Sequence, residues 1–277
     1  MTAKGKIMDS NSTEPRARRL RRTFLTLLAA CWATAALGQP LAPDPPGLTL
    51  SVDDHRPLSV LADELEKRLP VVVTYEEGPW SASKDLQDVT RAVIEANGPK
   101  KAAPAVAVIV PRKAAVSFSY PFDLHKARPA DYADLLSALL SQYEAAGAPG
   151  RFRFEGGDGI YHLIPANLEG KDGKWAAVSP VFSTPVHLAD VERTVDATLD
   201  EVVAQLNASS PVPVVWGFVP LNLFVRTKVR LSADGVPARQ VLRQILESLP
   251  RRVTWRLNYD PTTKRYYLSF LPRPGSR

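Results

Sequence analysis

The residues able to do chemistry are few and far apart. Histidine occurs at His55, His125, His162 and His187, and cysteine only at Cys31. No two histidines stand three to five residues apart, so the chain has no helical metal-binding pair, and one cysteine excludes a disulfide framework or a cysteine-rich zinc site. Asp53-Asp54-His55 can be read as an acid–base or metal cluster, or as a cap for the helix that follows. Capping is adopted, because Pro57 suits a first helical turn. His162 lies in a strand-like stretch and reads as a packing residue. Gly156-Gly157-Asp158-Gly159 separates two apolar stretches and has no Lys-Ser/Thr after it, which makes it a hairpin turn rather than a phosphate cradle. No Gly-x-Ser-x-Gly elbow occurs. No catalytic, cofactor-binding or metal-ligating residue is assigned.

The informative constellation is electrostatic. From residue 221 to 277 the chain carries 12 Arg and Lys against 3 Asp and Glu. Strand parity sorts them: Val225, Thr227, Val229 and Leu231 alternate with Arg226, Lys228 and Arg230. Val253, Trp255 and Leu257 likewise alternate with Arg252, Thr254 and Arg256, and Tyr266, Leu268 and Phe270 oppose Arg265 and Tyr267. With helices on one face of the sheet, the other face is expected to be basic. Arg226, Lys228, Arg230, Arg252, Arg256, Arg265 and Tyr267 are its candidate interaction residues, and Arg151 and Arg153 hint at the same in the first half. A solvated polar sheet face would use the same pattern. Aromatic residues beside cations could also stack on single-stranded nucleic acid, but the export expected below excludes that partner.

These side chains need a scaffold. The chain of 277 residues is 45% hydrophobic and 23% charged, enough for one large or two small domains. Residues 1–38 read as an export signal: a basic run to Arg22, an apolar stretch of modest length, then Ala36 and Gly38. Arg21-Arg22-Thr23-Phe24-Leu25 is similar to a twin-arginine motif, and an arginine-rich secretory signal remains the alternative. Leu28-Ala29-Ala30-Cys31 is similar to a lipobox, which would make Cys31 a lipidation site; a small apolar residue of the signal is the other reading. Residues 39–47 form a proline-rich spacer. The net charge of +6 then falls into blocks, with 7 basic and 2 acidic residues before 39 and an acidic body from 39 to 220. Without the signal the chain is nearly neutral but polarised.

The remaining pattern occurs twice. Leu48, Leu50 and Val52 alternate as a strand; Leu58, Leu61, Leu65 and Leu69 line one helical face; Val71–Tyr75 is a strand. Val116, Phe118 and Tyr120 alternate, a helix opens at Pro129, and a hairpin spans Arg151–Ile164. In the second half a strand covers Val181–Leu188, and Val191, Val195, Leu199, Val202 and Leu206 are helically spaced. Val212–Trp216 is a strand, a strand follows from Val225, a helix opens at Pro237, and a hairpin spans Arg252–Phe270. Leu69-Pro70-Val71 matches Ser210-Pro211-Val212, and Arg128-Pro129-Ala130 matches Val236-Pro237-Ala238. Residues 48–165, with an insert at 76–113, and residues 181–272 are therefore expected to be tandem βαβ–βαββ modules joined by a polar linker at 166–180. The fold class is α+β, with small mixed sheets and helices packed mainly on one face. A short helix from Ser83 and an extra strand between Pro104 and Pro111 are expected in the insert.

This order, with Val71-Val72-Val73-Thr74-Tyr75 after a leucine helix and Ala238–Leu246 before Val253-Thr254-Trp255-Arg256-Leu257, resembles the short N-terminal domain of secretins and TonB-dependent signalling receptors. The likeness covers both halves, and neither a secretin pore nor an outer-membrane barrel is expected within these 277 residues. It implies a periplasmic, non-enzymatic module that docks partners on sheet edges or helix faces. The expected partner is an envelope protein or an anionic envelope polymer, with no nucleic acid and no cofactor. Membrane contact is expected only through the signal or a lipid anchor. Self-association, with the basic sheet meeting the acidic body of a second copy, is a further option. The competing class is an envelope hydrolase or small-ligand binder working in a cleft between the modules.

Overall fold

The structure, a computed structural model, describes residues 47–98, 106–123 and 126–273. The expected export signal with Cys31, the spacer through residue 46, and His125 lie outside these residues. The first half runs β1 (Gly47–Asp54), α1 (Pro57–Arg68), β2 (Val72–Glu76), a 3-10 turn at Ser83–Asp85, β3 (Leu86–Asp88), α2 (Thr90–Asn97), β4 (Ile109–Pro111), β5 (Ala114–Pro121), α3 (Pro129–Ala145), β6 (Arg151–Gly157), β7 (Ile160–Glu169) and β8 (Trp175–Ala177). The second half runs from a 3-10 turn at Val181–Ser183 through β9 (Pro185–Thr194), α4 (Val195–Ser209), β10 (Val214–Trp216), α5 (Leu221–Arg226), β11 (Lys228–Pro237) and α6 (Ala238–Ser248) to β12 (Val253–Asp260) and β13 (Arg265–Pro272). The fold is α+β with small mixed sheets.

Local chemistry explains most element ends. Pro57 and Pro129 stand in the first turns of α1 and α3, where the missing N–H costs no helical bond. Asp131 accepts the Arg128 backbone N–H at 2.6 Å, satisfying one free donor at the start of α3. At the β6–β7 hairpin, Asp158 has φ 53° and Gly156 φ 107°. A Cβ on Gly156 would run into the Ile160 carbonyl, so this turn requires glycine there.

Four expectations need correction. Val191 belongs to β9 rather than to the following helix and is exposed, because β9 extends ten residues to pair with β11. Arg226 ends the helix α5 rather than lying on a strand with Lys228. The insert helix expected from Ser83 is only a 3-10 turn to Asp85, and a separate α-helix begins at Thr90 and buries none of its residues. The segment 166–180 is not a plain linker: β7 continues to Glu169 and β8 pairs back on it.

Each repeat forms the same two layers. β1 pairs antiparallel with β5, and β9 with β11. β2 runs parallel to β7, which is antiparallel to β6; β10 runs parallel to β13, which is antiparallel to β12. The two three-stranded units then join through β12 and β2 into one sheet of order β10-β13-β12-β2-β7-β6, with β8 on β7. Alternation places Val73 and Tyr75 on one face of β2 and Thr74 and Glu76 on the other. Tyr75 packs toward Phe152 and Tyr143 of α3, while Glu76 meets Arg239 of α6. The helices of the two repeats therefore cover opposite faces at the junction. One continuous apolar core results, running from Leu50, Leu61, Leu65 and Phe118 to Leu199, Leu242, Trp255 and Phe270.

Candidate functional site

The expected basic face is not one surface. Lys228 and Arg230 stand on the separate β9–β11 ribbon, exposed and paired across it with Glu192 at 3.3 Å and Asp190 at 2.9 Å. Arg226 is exposed at the end of α5, and Arg252 is exposed just before β12. Arg265 is exposed on β13 opposite Asp260. Tyr267 is half-buried in a hollow of about 510 Å³ beside Arg56, Ile109, Asn258 and Thr262. Arg256 departs furthest from expectation, since only 1% of it is exposed. Its parity is as read, opposite to Trp255, but α1 of the first repeat covers that face.

What the tertiary structure assembles instead is a buried ionic junction between the repeats. Arg256 Nη1 donates to the Val73 carbonyl at 2.7 Å and to Thr254 Oγ1 at 2.9 Å, and Nη2 donates to Asp63 and Glu66 of α1. Glu66 also accepts the Val73 backbone N–H at 2.7 Å. On the other face, Arg239 donates to Glu76 at 2.7 Å and to Glu155 at 3.0 Å, and Glu76 accepts the Phe182 N–H. Glu77 accepts from Arg56 at 3.1 Å and from the Tyr259 N–H at 2.6 Å, and Arg56 also donates to the Tyr259 carbonyl. Burial pushes the carboxyls of Glu66, Glu76 and Glu77 above the usual range, and Arg256, Arg239 and Arg56 respectively pull them back. Buried charges of this kind add register rather than bulk stability: Arg256 and Arg239 reach Glu66 and Glu76, and Arg56 the Tyr259 carbonyl, only when β12 lies against β2 in this register.

The signals for this network were present but unreadable in isolation. Glu66 follows Leu65 directly within the apolar stripe of α1, and Glu76-Glu77 closes an otherwise apolar strand. Each looks like an ordinary solvated acid until the second repeat covers it.

His162 serves packing, whereas His187 is exposed and lies 3.0 Å from Asp234. His162 is buried, shares a hydrogen bond of 2.7 Å with Thr74 and stacks on Trp255 with ring centres 5.8 Å apart. Desolvation, then repulsion from Arg239 and Arg243, lowers its pKa to about 3. His55 Nδ1 lies 2.7 Å from the Pro111 carbonyl, and Asp53 pairs with Lys113. Asp54 accepts the Arg56 N–H at 2.7 Å just ahead of α1, yet no side chain caps the helix itself, so the expected cap is displaced into the preceding turn. Among the described residues no group of three His, Cys, Asp or Glu converges as a metal site.

Two hollows bear on ligand binding. Between the repeats, about 380 Å³ is lined by Val72, Asp158, Ile160, Leu246, Glu247 and Arg252. Within the first repeat, about 520 Å³ lies between the insert and the α3–β6 turn, lined by Lys84, Asp85, Arg112, Arg151 and Trp175. Arg151 sits 4.6 Å over the Trp175 ring. Asp85 is 5% exposed, and burial raises its pKa.

A scan of protein-family models and searches of curated proteins and of solved structures give no match to this chain.

Proposed function

We propose that this chain is an exported bacterial envelope protein built from two modules of the secretin and TonB short-domain kind, and that it works as a non-enzymatic binding or assembly unit. The observation that carries the reading is the β12–β2 junction. Two similar βαβ–βαββ units associate edge to edge by parallel strand pairing, sealed by Arg256, Arg239 and Arg56. Strand addition of this kind is a general mode of protein recognition. The scattered cations Arg226, Arg252 and Arg265 supply secondary contacts for an anionic envelope partner. Site-specific photo-crosslinkers placed on exposed strand and helix positions, in the native host, test the proposal. Discrete adducts in the envelope fraction are expected. A protein that fractionates with the cytoplasm, or gives no adduct at any position, refutes it.

A second reading, a small-ligand binder, rests on the hollow at Asp85 within the first repeat. A buried carboxylate beside Lys84, Arg112, Arg151 and Trp175 suits a compact zwitterion. A thermal-shift screen of zwitterionic compounds, with Asp85→Asn as control, separates the two readings. A shift abolished by that substitution would favour ligand binding.

A further inference from the structure

The two repeats can be aligned residue by residue through their hydrogen bonds. In the first, Glu66 accepts the backbone N–H of Val73 at 2.7 Å; in the second, Asn207 accepts that of Val214 at 2.6 Å. Val73 pairs with Tyr161 and Val214 with Tyr266, and these oppose Gly156 and Tyr259 respectively. Three positions back along β6 and β12, Arg153 opposite Ile164 corresponds to Arg256 opposite Ser269. Strand β10 is thus the counterpart of β2, and β6 the counterpart of β12. The sheet ends in the same two kinds of edge that meet at its centre. Such a head-to-tail contact continues indefinitely unless one end is closed.

The β10 end is closed. The acids Asp63, Glu66, Glu76 and Glu77 correspond there to Ala204, Asn207, Gly217 and Phe218. Asn207 Nδ2 also donates to the Val214 carbonyl at 3.0 Å. The equivalent Val73 carbonyl receives Arg256 from the other repeat. One asparagine therefore occupies both backbone groups that a neighbouring strand's arginine and helix acid would otherwise share, and Pro213 flanks it. The β6 end keeps the reading residue. Arg153 is about half exposed, and its side chain pairs with Glu155 on its own strand. By the alternation that turns Leu257 toward β2, Phe152 and Phe154 turn their N–H and C=O groups to the side of β6 on which no described strand pairs. One position differs: Asp131 stands where Arg239 stands, so a residue matching Glu76 would be repelled there.

We infer that the β6 edge is the docking edge for a partner's edge strand backed by a helix carrying two carboxylates three residues apart, as Asp63 and Glu66 do. Arg153 reads that acid pair and the strand carbonyl between, and β10 is the sealed terminus of the array. The inference rests on the proposed binding role and names the partner's chemistry.

A second copy with its closed edge reopened is a sufficient probe. The full chain carrying Ala204→Asp and Asn207→Glu presents the acid pair of α1 on α4. The carboxylate that Asn207→Glu introduces can take the Val214 N–H as Glu66 takes that of Val73, and the Val214 carbonyl is released for an incoming arginine. Sedimentation against concentration should show the double variant associating at least tenfold more tightly than the unaltered chain. Arg153→Glu in the same background should abolish the gain at unchanged circular dichroism. If the double variant does not fold, Ala204→Asp with Asn207→Ala decides, since residue 204 is exposed and the substitution at 207 frees the Val214 carbonyl. A folded variant that sediments like the unaltered chain, or association indifferent to Arg153→Glu, overturns the inference. The two readings fail separately. Association without envelope adducts from β6 would sink the binding role while leaving the edge chemistry, and adducts only elsewhere with a non-associating variant would do the reverse.

Discussion

Arg256→Met tests whether the junction is held by its ion pairs. The guanidinium is buried and makes hydrogen bonds to the Val73 and Trp255 carbonyls, to Thr254 and to Glu66, besides reaching the half-exposed Asp63. Methionine keeps much of the volume, so the cost comes from groups left unpaired. Glu66 would stay buried with its Val73 N–H bond but without the guanidinium that offsets its desolvation, and the Val73 carbonyl would lose its donor. Removing one partner of a buried pair costs about 3–5 kcal/mol, a large part of the roughly 5–15 kcal/mol that holds a typical domain. Urea unfolding followed by tryptophan fluorescence is the assay, because Trp255 lies on the same strand. Glu66→Gln with Arg256→Met should recover most of the loss, since replacing both partners removes the unpaired charge. The coupling energy of the double-mutant cycle is expected at about 1.5 kcal/mol or more, within the range for contacting residues. A single-variant cost below about 1 kcal/mol, or strictly additive variants, would refute the argument that the repeats are locked by this pair.

Three further outcomes are expected. His162 titrates at about 3 in the fold against 6.5 unperturbed, so between those values the unfolded chain binds the extra proton and stability falls as the pH is lowered. That group alone should remove about 2 kcal/mol between pH 7 and pH 5; His162→Gln should abolish this loss in urea titrations at the two pH values. The raised carboxyls of Glu66, Glu76 and Glu77 act oppositely, gaining stability as pH falls through their folded pKa toward 4.5, so the His162→Gln variant should be no less stable at pH 5 than at pH 7. Gly156→Ala should cost about 1–3 kcal/mol, read as a lowered thermal midpoint, because its positive φ and the Ile160 carbonyl leave no room for a Cβ. Arg230→Ala should leave the urea midpoint unchanged, since its pair with Asp190 is solvent-exposed.

The elements were largely legible because their signals are local. Leucines at 58, 61 and 65, proline at 57 and 129, and alternation at 116–120 and 253–257 each act within one turn or strand, and the structure has helices and strands there. The misplacements have local causes as well. Val191 continues the helical spacing of α4 by coincidence, and Val225–Leu231 alternates although its first two residues are the end of α5.

The amino-acid sequence by itself determined the repeat, the α+β class and which side of each strand is basic, because periodicity and parity are properties of neighbours along a chain. Only the tertiary structure decided which of those cations meet solvent. Arg153 and Arg256 occupy the same position in their repeats and share the same parity, yet one is open at an edge and the other is sealed beneath α1. The difference arises from the pairing of β12 with β2, some 180 residues apart in the chain. That contact sets which arginine loses its water and must find a carboxylate, and strand parity alone does not encode it.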